Sequence, residues 1–151
     1  MPYSYDYLAA ALRCSRCGRE GAALDMITRL RPMPELASLG VGDPLPVSTD
    51  NAVRSGYLAL HEPTPGEPTV LLHVWTCPHC AYAFNWAEVV VRDNVIEAIR
   101  SADLTRAVLG SAHFIVDDAR EVAADLAGTT SSLDLDDDTV VAVLRDKLPR
   151  T

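Results

Sequence analysis

Residues 69–84 read TVLLHVWTCPHCAYAF and residues 14–18 read CSRCG, and the fold turns on what these two stretches have in common. Each holds two cysteines separated by two residues, Cys14 with Cys17 and Cys77 with Cys80, and together they use all 4 cysteines of the chain. A two-residue spacer lets one tight turn aim both sulfurs at a single point and directs backbone N–H groups at them. Gly18 supplies the open backbone such a turn needs after its second cysteine, and Pro78 stiffens the other turn. Two turns of this kind facing each other complete a tetrahedral set of four thiolates, which suits Zn2+. The 59 residues between the pairs, 18–76, are no obstacle, because loop-closure entropy grows only logarithmically.

Strands are expected on both sides of each pair. Tyr-rich residues 3–13 lead into the first pair and residues 22–31 (AALDMITRLR) lead out of it. Pro34 and Gly40 bracket PMPELASLG as a short helix. Residues 40–56 have loop composition, within which Ser48 caps one helical turn. GYLALHE and TVLLHVWTC are β-rich and separated by PTPGEP, so a hairpin is expected. AYAFNWAEVVV and VIEAIRS form a second hairpin through Arg92-Asp93-Asn94, with Asn94 in the left-handed position. In FIVDDAREVAADLAG, Ile115, Ala119, Val122, Ala123 and Leu126 recur at helical spacing, Asp118 and Glu121 suggest a capping box, and Gly128 marks the stop. TTSSLD is a linker. The last helix carries Val140, Val141, Leu144 and Leu148 on one face, with acids at its start and Arg145, Lys147 and Arg150 at its end, as the helix dipole favours.

The two pairs resemble zinc-ribbon and rubredoxin-like knuckles: Cys-x-x-Cys-Gly, then Cys-Pro-x-Cys with Trp75 just ahead. The resemblance covers the knuckles and their flanking strands. It implies a site architecture with Cys14, Cys17, Cys77 and Cys80 as ligands of Zn2+, or of iron, and implies no activity. The chain departs from the pattern at Ala81, where Gly is common, and in the length of its insert. The expected fold is α+β: one domain over 1–151, with an antiparallel ribbon-like core at 8–31 and 56–100 and two C-terminal helices covering the sheet within 101–151.

A rival reading of Cys77-Pro78-His79-Cys80 is a thioredoxin-type redox site, in which a helix N-terminus and His79 lower the pKa of Cys77. Against it, FNWAEVVVRDN reads as strand, no proline lies between Pro78 and Pro149 to serve as the facing cis-proline, and Cys14 and Cys17 go unexplained. Two disulfides fit poorly, since the N-terminus carries Asp6 and lacks the early positive charge of a secretory signal. A cytoplasmic location is therefore expected.

With 48% hydrophobic and 23% charged residues, the chain has globular composition, and no stretch is long and apolar enough for a bilayer span. The formal charge is −8, distributed as +2 over residues 1–32, −5 over 33–100 and −5 over 101–151. Nucleic-acid binders neutralise phosphates with Lys and Arg, and this chain has a single Lys, Lys147. A basic face of Arg13, Arg16, Arg19, Arg29 and Arg31 keeps a nucleic-acid-associated ribbon open as an alternative. His79 reads as a turn residue beside the thiolates, able to hydrogen-bond a sulfur, and His73 as a sheet residue. His61 and His113 stand alone. Asp134, Asp136 and Asp138 alternate as at the start of a calcium loop, but Thr139 and Arg145 stand where that loop needs Gly and Glu. No Gly-x-Ser-x-Gly, phosphate loop or dinucleotide fingerprint is present. The sequence points to a non-enzymatic adaptor whose partner is another protein; a nucleic-acid ribbon and a thiol-disulfide oxidoreductase are its alternatives.

Overall fold

The computed structural model describes residues 5–129, 131, 133 and 135–151, and along its first hairpin more buried and more exposed residues largely alternate, as the two faces of a strand require. Strand β1 (Asp6–Arg13) pairs antiparallel with β2 (Glu20–Thr28), burying Leu8 and Leu12 of one and Ala23 and Met26 of the other. Residues 1–4, which include the first two positions of the strand expected at 3–13, lie outside the described residues, as do Thr130, Ser132 and Asp134 of the expected linker and acidic run. A third, short strand β3 (Ser38–Leu39) runs parallel to β1, giving a small sheet of order β2-β1-β3.

β3 replaces the helix expected at PMPELASLG, and Asp6 explains why. Its buried carboxylate accepts two hydrogen bonds from the Arg31 guanidinium (2.8 and 2.7 Å) and two more from the backbone N–H groups of Glu35 (2.9 Å) and Ala37 (3.1 Å). Those N–H groups are turned inward to Asp6, so the segment is held bent instead of helical, and Tyr7 N–H donates to Ala37 C=O at 2.9 Å. The arginine bonds, helped by the two N–H groups and opposed by burial, hold the Asp6 carboxyl below its usual range.

The larger sheet has the order β4-β8-β5-β6-β7, from β4 (Tyr57–Ala59), β5 (Thr69–Trp75), β6 (Asn85–Arg92), β7 (Val95–Ala102) and β8 (Phe114–Val116). β6 and β7 form the expected hairpin; its turn places Asp93 (φ 52°) as well as Asn94 (φ 60°) in the left-handed region, the geometry that matches strand twist. The hairpin expected between GYLALHE and TVLLHVWTC does not form. β8 sits between the two, antiparallel to β4 and parallel to β5. Phe114, Ile115 and Val116 were expected to begin a helix; all three are buried, and such a short apolar run fits either element until its neighbours are known.

Helix α1 (Thr49–Arg54) carries the expected cap: Asn51 N–H donates to Ser48 Oγ (3.2 Å) and Ser48 N–H to Asn51 Oδ1 (2.7 Å). A further short helix, α2 (Arg106–Ser111), precedes β8. The two C-terminal helices are α3 (Ala119–Ala127) and α4 (Asp137–Lys147). α3 ends at Gly128 (φ 74°) as expected, but Asp118 makes no side-chain cap, so the expected capping box is absent. Asp136 caps α4 by accepting from Thr139 N–H at 2.8 Å, the capping role that the acidic run favours over a calcium loop. Val140, Leu144 and Leu148 enter the same core as Leu71, Phe114 and Ile115. The fold is α+β, and among the described residues no helix is long and apolar enough to cross a membrane.

A buried polar chain ties the sheets together. The Tyr57 hydroxyl (β4) donates to Thr28 Oγ1 (β2) at 3.2 Å, and His73 Nε2 (β5) lies 2.6 Å from the same hydroxyl. With the phenolic proton on Thr28, the neutral imidazole donates from Nε2. Burial pushes His73 down to about 3. Below its ordinary 6.5 the unfolded chain takes up a proton that the folded chain refuses, so stability falls as pH drops through the window from 6.5 towards 3. The lowered Asp6 adds a second loss only below the ordinary carboxylate range. His73→Leu should therefore remove about 2 kcal/mol of the stability difference between pH 7 and pH 5, read from urea melts of both proteins at each pH.

Candidate metal centre

The cysteines sit at matching places on two hairpins from different sheets. Cys14 follows β1 directly and Cys77 follows β5 by one residue, and each chain reverses through its Cys-x-x-Cys turn before β2 or β6 begins. The turns share one hydrogen-bond pattern. Cys14 N–H donates to Arg19 C=O (3.0 Å) and Gly18 N–H to Cys14 C=O (3.0 Å); Cys77 N–H donates to Tyr82 C=O (2.9 Å) and Ala81 N–H to Cys77 C=O (2.9 Å). The residue after each second cysteine is left-handed, Gly18 at φ 74° and Ala81 at φ 63°. Backbone N–H groups of Arg16 and Cys17 point at Cys14 Sγ (3.4 and 3.5 Å), and that of His79 points at Cys77 Sγ (3.4 Å).

All four sulfurs lie within 4.8 Å of one another. Cys14 Sγ is 3.6 Å from Cys80 Sγ, and Cys17 Sγ is 3.7 Å from Cys77 Sγ, each close pair spanning the two turns. A tetrahedron with metal–sulfur bonds of about 2.3 Å has sulfurs about 3.8 Å apart, whereas a disulfide needs about 2.05 Å. The spacing is thus that of four ligands around one ion. Burial opposes ionisation of Cys14, but the N–H groups of Cys17 and Arg16 and the Asn85 amide outweigh it and bring the thiol to about 6. At Cys80 the bond from the Tyr82 backbone favours the thiolate, yet burial and the other three sulfurs push it up to about 11. Four sulfurs this close cannot all ionise without a cation among them, and a divalent ion supplies that charge. The cluster therefore fits a structural metal site.

Asn85, buried at the start of β6, was not singled out by sequence reasoning. Its Oδ1 accepts from Ser15 N–H (2.8 Å) and Ser15 Oγ–H (2.9 Å), and its Nδ2 donates to Cys14 Sγ at 3.4 Å. One side chain so reaches from the second hairpin to the first knuckle. The only signal was an amide five residues after Cys80, which names no target. His79 is the exposed turn residue beside the thiolates that the sequence suggests, but its ring does not reach a sulfur: Nε2 lies 2.9 Å from Glu20 C=O, and the backbone N–H serves Cys77 Sγ. His61 Nδ1 lies 2.8 Å from Ala112 C=O at the end of α2, and Val70 N–H of β5 donates to His113 Nδ1 at 3.0 Å, so neither ring faces the cysteines. Among the described residues, no His, Asp or Glu joins the four cysteines. Residues 81–84 after Cys80 are not helical and lead into β6, so Cys77 does not sit at a helix N-terminus as the redox reading requires.

No family model, curated protein or solved structure matches this chain.

Two sets of substitutions test the knuckles. A left-handed non-glycine residue costs about 1 kcal/mol, so Ala81→Gly should raise stability by roughly that amount and Gly18→Ala should lower it, in thermal melts of metal-loaded protein. A Cβ on Gly21 would lie 2.8 Å from Pro78 Cγ, where the partner is a ring and not a flexible chain end. Gly21→Ala and Asn85→Ala should each weaken metal retention about tenfold in competition with a chromophoric chelator.

Proposed function

We propose that the chain is a zinc-binding, non-enzymatic protein-interaction module in which Cys14, Cys17, Cys77 and Cys80 hold one structural Zn2+. The observation that carries this reading is the closed set of four sulfurs at tetrahedral spacing. Four protein ligands leave no position for water or substrate, which distinguishes structural zinc from catalytic zinc. Zinc is preferred because two thiolate knuckles with N–H donors around the sulfurs suit it; iron is the alternative such a site accepts. Free thiols in this number favour a reducing compartment, and the cytoplasm is the location we assign. Residues 1–151 are read as one folding unit.

Nucleic acid is the weaker partner. Of the five arginines that suggested it, Arg31 is committed to Asp6, Arg16 stacks over Tyr82 at 4.7 Å and Arg29 lies over Tyr5 at 5.9 Å. The remaining field is that of a chain with formal charge −8, which repels phosphates.

Purified protein should carry one Zn per chain by elemental analysis. Cys14→Ser, Cys77→Ser and Cys80→Ser should behave alike, each losing metal and at least about 10 °C of melting temperature, since metal-binding energy is folding energy. In the native protein all four cysteines should resist alkylation at pH 7 until a chelator is added. Rapid labelling of Cys77 alone without chelator would establish the redox reading in place of this one. A red protein with charge-transfer bands, made without added zinc, would shift the assignment to iron.

A further inference from the structure

The two sheets do not close against each other along their whole length. Between them lies a cleft of about 540 Å³, with Asp25, Ile27 and Arg29 of the β2 side on one wall and His73, Val74 and Thr76 on the other. The second wall is where the larger sheet lacks a strand. The β5–β8 register stops at Leu72 paired with Ile115, and β8 itself ends at Val116. From His73 to Trp75, β5 keeps β6 on one flank and, among the described residues, pairs no strand on the other. His73 and Trp75 are buried there and Val74 is partly exposed, so the cleft offers side-chain walls and not a bare strand edge.

A second cavity of about 600 Å³ adjoins the first, and Phe84 and Glu121 line both. Phe84 is 41% exposed although its neighbours Asn85 and Trp86 are buried. The second cavity is floored by Tyr82, Trp86, Val122 and Leu148. The rim is acidic. Asp117 is neutralised by Arg120 at 3.0 Å, and Asp25 accepts from Thr76 N–H. Asp118, Glu121, Asp125 and Asp103 are exposed and in no ion pair among the described residues. Among the described residues, Arg29 is the one Lys or Arg lining either cavity, and Arg16 lies over the Tyr82 ring at the edge of the second. An aromatic floor under a predominantly acidic rim asks for a partner that alternates apolar and cationic groups.

We propose that this acid-rimmed cleft binds an extended, cationic segment of a partner protein, laid past Val74 and over Phe84. The proposal rests on the interaction-module reading and names that module's partner class. In an extended chain successive side chains point to opposite sides, so one set enters the aromatic floor while the other faces Asp118, Glu121 and Asp125. Tyr82 and Phe84 belong to the stretch immediately after Cys80, so the knuckle sets the floor. Binding then depends on the metal without any contact to it.

The test uses the full zinc-loaded chain and a fluorescein-labelled peptide of about 12 residues, alternating Arg and Val, which spans roughly 40 Å when extended. A matched peptide with Glu in place of Arg is the counterpart. In about 150 mM salt, anisotropy should show the basic peptide binding with Kd of roughly 10–100 μM and the acidic one not binding. Asp118→Lys combined with Glu121→Lys should weaken binding at least about tenfold, and Phe84→Ala at least about fivefold. Glu62→Lys combined with Asp146→Lys makes the same change in net charge elsewhere and should leave Kd within about twofold. Metal content and melting temperature of each variant check that the fold is intact. Equal weakening by the two charge-reversed pairs would reduce the effect to bulk charge and overturn the proposal. Failure of the basic peptide to bind, or a concentration-dependent dimer abolished by Phe84→Ala, would overturn it too, the latter assigning the cleft to a second copy. A native partner held equally by the wild-type chain and the Asp118/Glu121 variant would sink the cleft and leave the interaction-module reading standing. Absence of any metal-dependent partner together with thiol turnover would sink that reading itself.

Discussion

Four sulfurs drawn to within 4.8 Å of one another are the constraint on which the rest of the structure depends. Two belong to a hairpin of the small sheet and two to a hairpin of the large one. Bringing them together places β1–β2 against β5–β6, and the ties between these hairpins gather around that point. Asn85 reaches Ser15 and Cys14, Thr76 N–H reaches Asp25, the His79 ring reaches Glu20, and the Pro78 ring fills the space that Gly21 leaves open. None of these contacts is large in energy alone. Their geometry is inherited from the knuckles, so disturbing the sulfur cluster loosens all of them together.

The two knuckles are near copies in backbone terms, yet the chain fills them differently. Gly18 takes its left-handed turn without cost, while Ala81 takes the same turn with a Cβ. Arg16 lies over the Tyr82 ring and so joins one knuckle to the segment after the other. Cys14 and Cys77 are buried and Cys17 and Cys80 exposed, so each turn presents one sulfur to the interior and one to the outside. The inner sulfur at Cys14 receives the Arg16 and Cys17 N–H groups and the Asn85 amide, whereas Cys77 receives, among the described residues, the His79 N–H.

How much of this was legible in the sequence follows from the range of the forces involved. The Cys-x-x-Cys turns, the Asp93-Asn94 hairpin, the Ser48 cap and the Gly128 stop are settled within five or six residues, and each reads directly. Phe114–Val116 could not be placed locally, because a three-residue apolar run becomes a strand only when β4 and β5 leave a gap for it. Residues 32–40 read as a helix because the residue that holds them bent, Asp6, lies some 30 positions upstream. Asn85 was missed for the same reason: its contacts are set by Ser15, 70 residues away. That the four cysteines come together was legible, and the contacts that support them were not.

The sulfur cluster is not the only tie between the sheets, and the second one is of another kind. Thr28, Tyr57 and His73 form a buried chain of hydrogen bonds from β2 through β4 to β5, with His73 kept neutral by burial. A tie at one point tolerates sliding about that point, whereas a buried polar chain has one satisfied register. Set apart along the sheets, the two ties fix both the separation and the rotation of the layers. The cleft beside Tyr57 and His73 survives because β8 is too short to fill the flank of β5, and neither tie requires it to close. A sheet held at two places can leave such a cleft without cost to its registry, and that freedom places an aromatic, acid-rimmed surface beside the four-cysteine cluster.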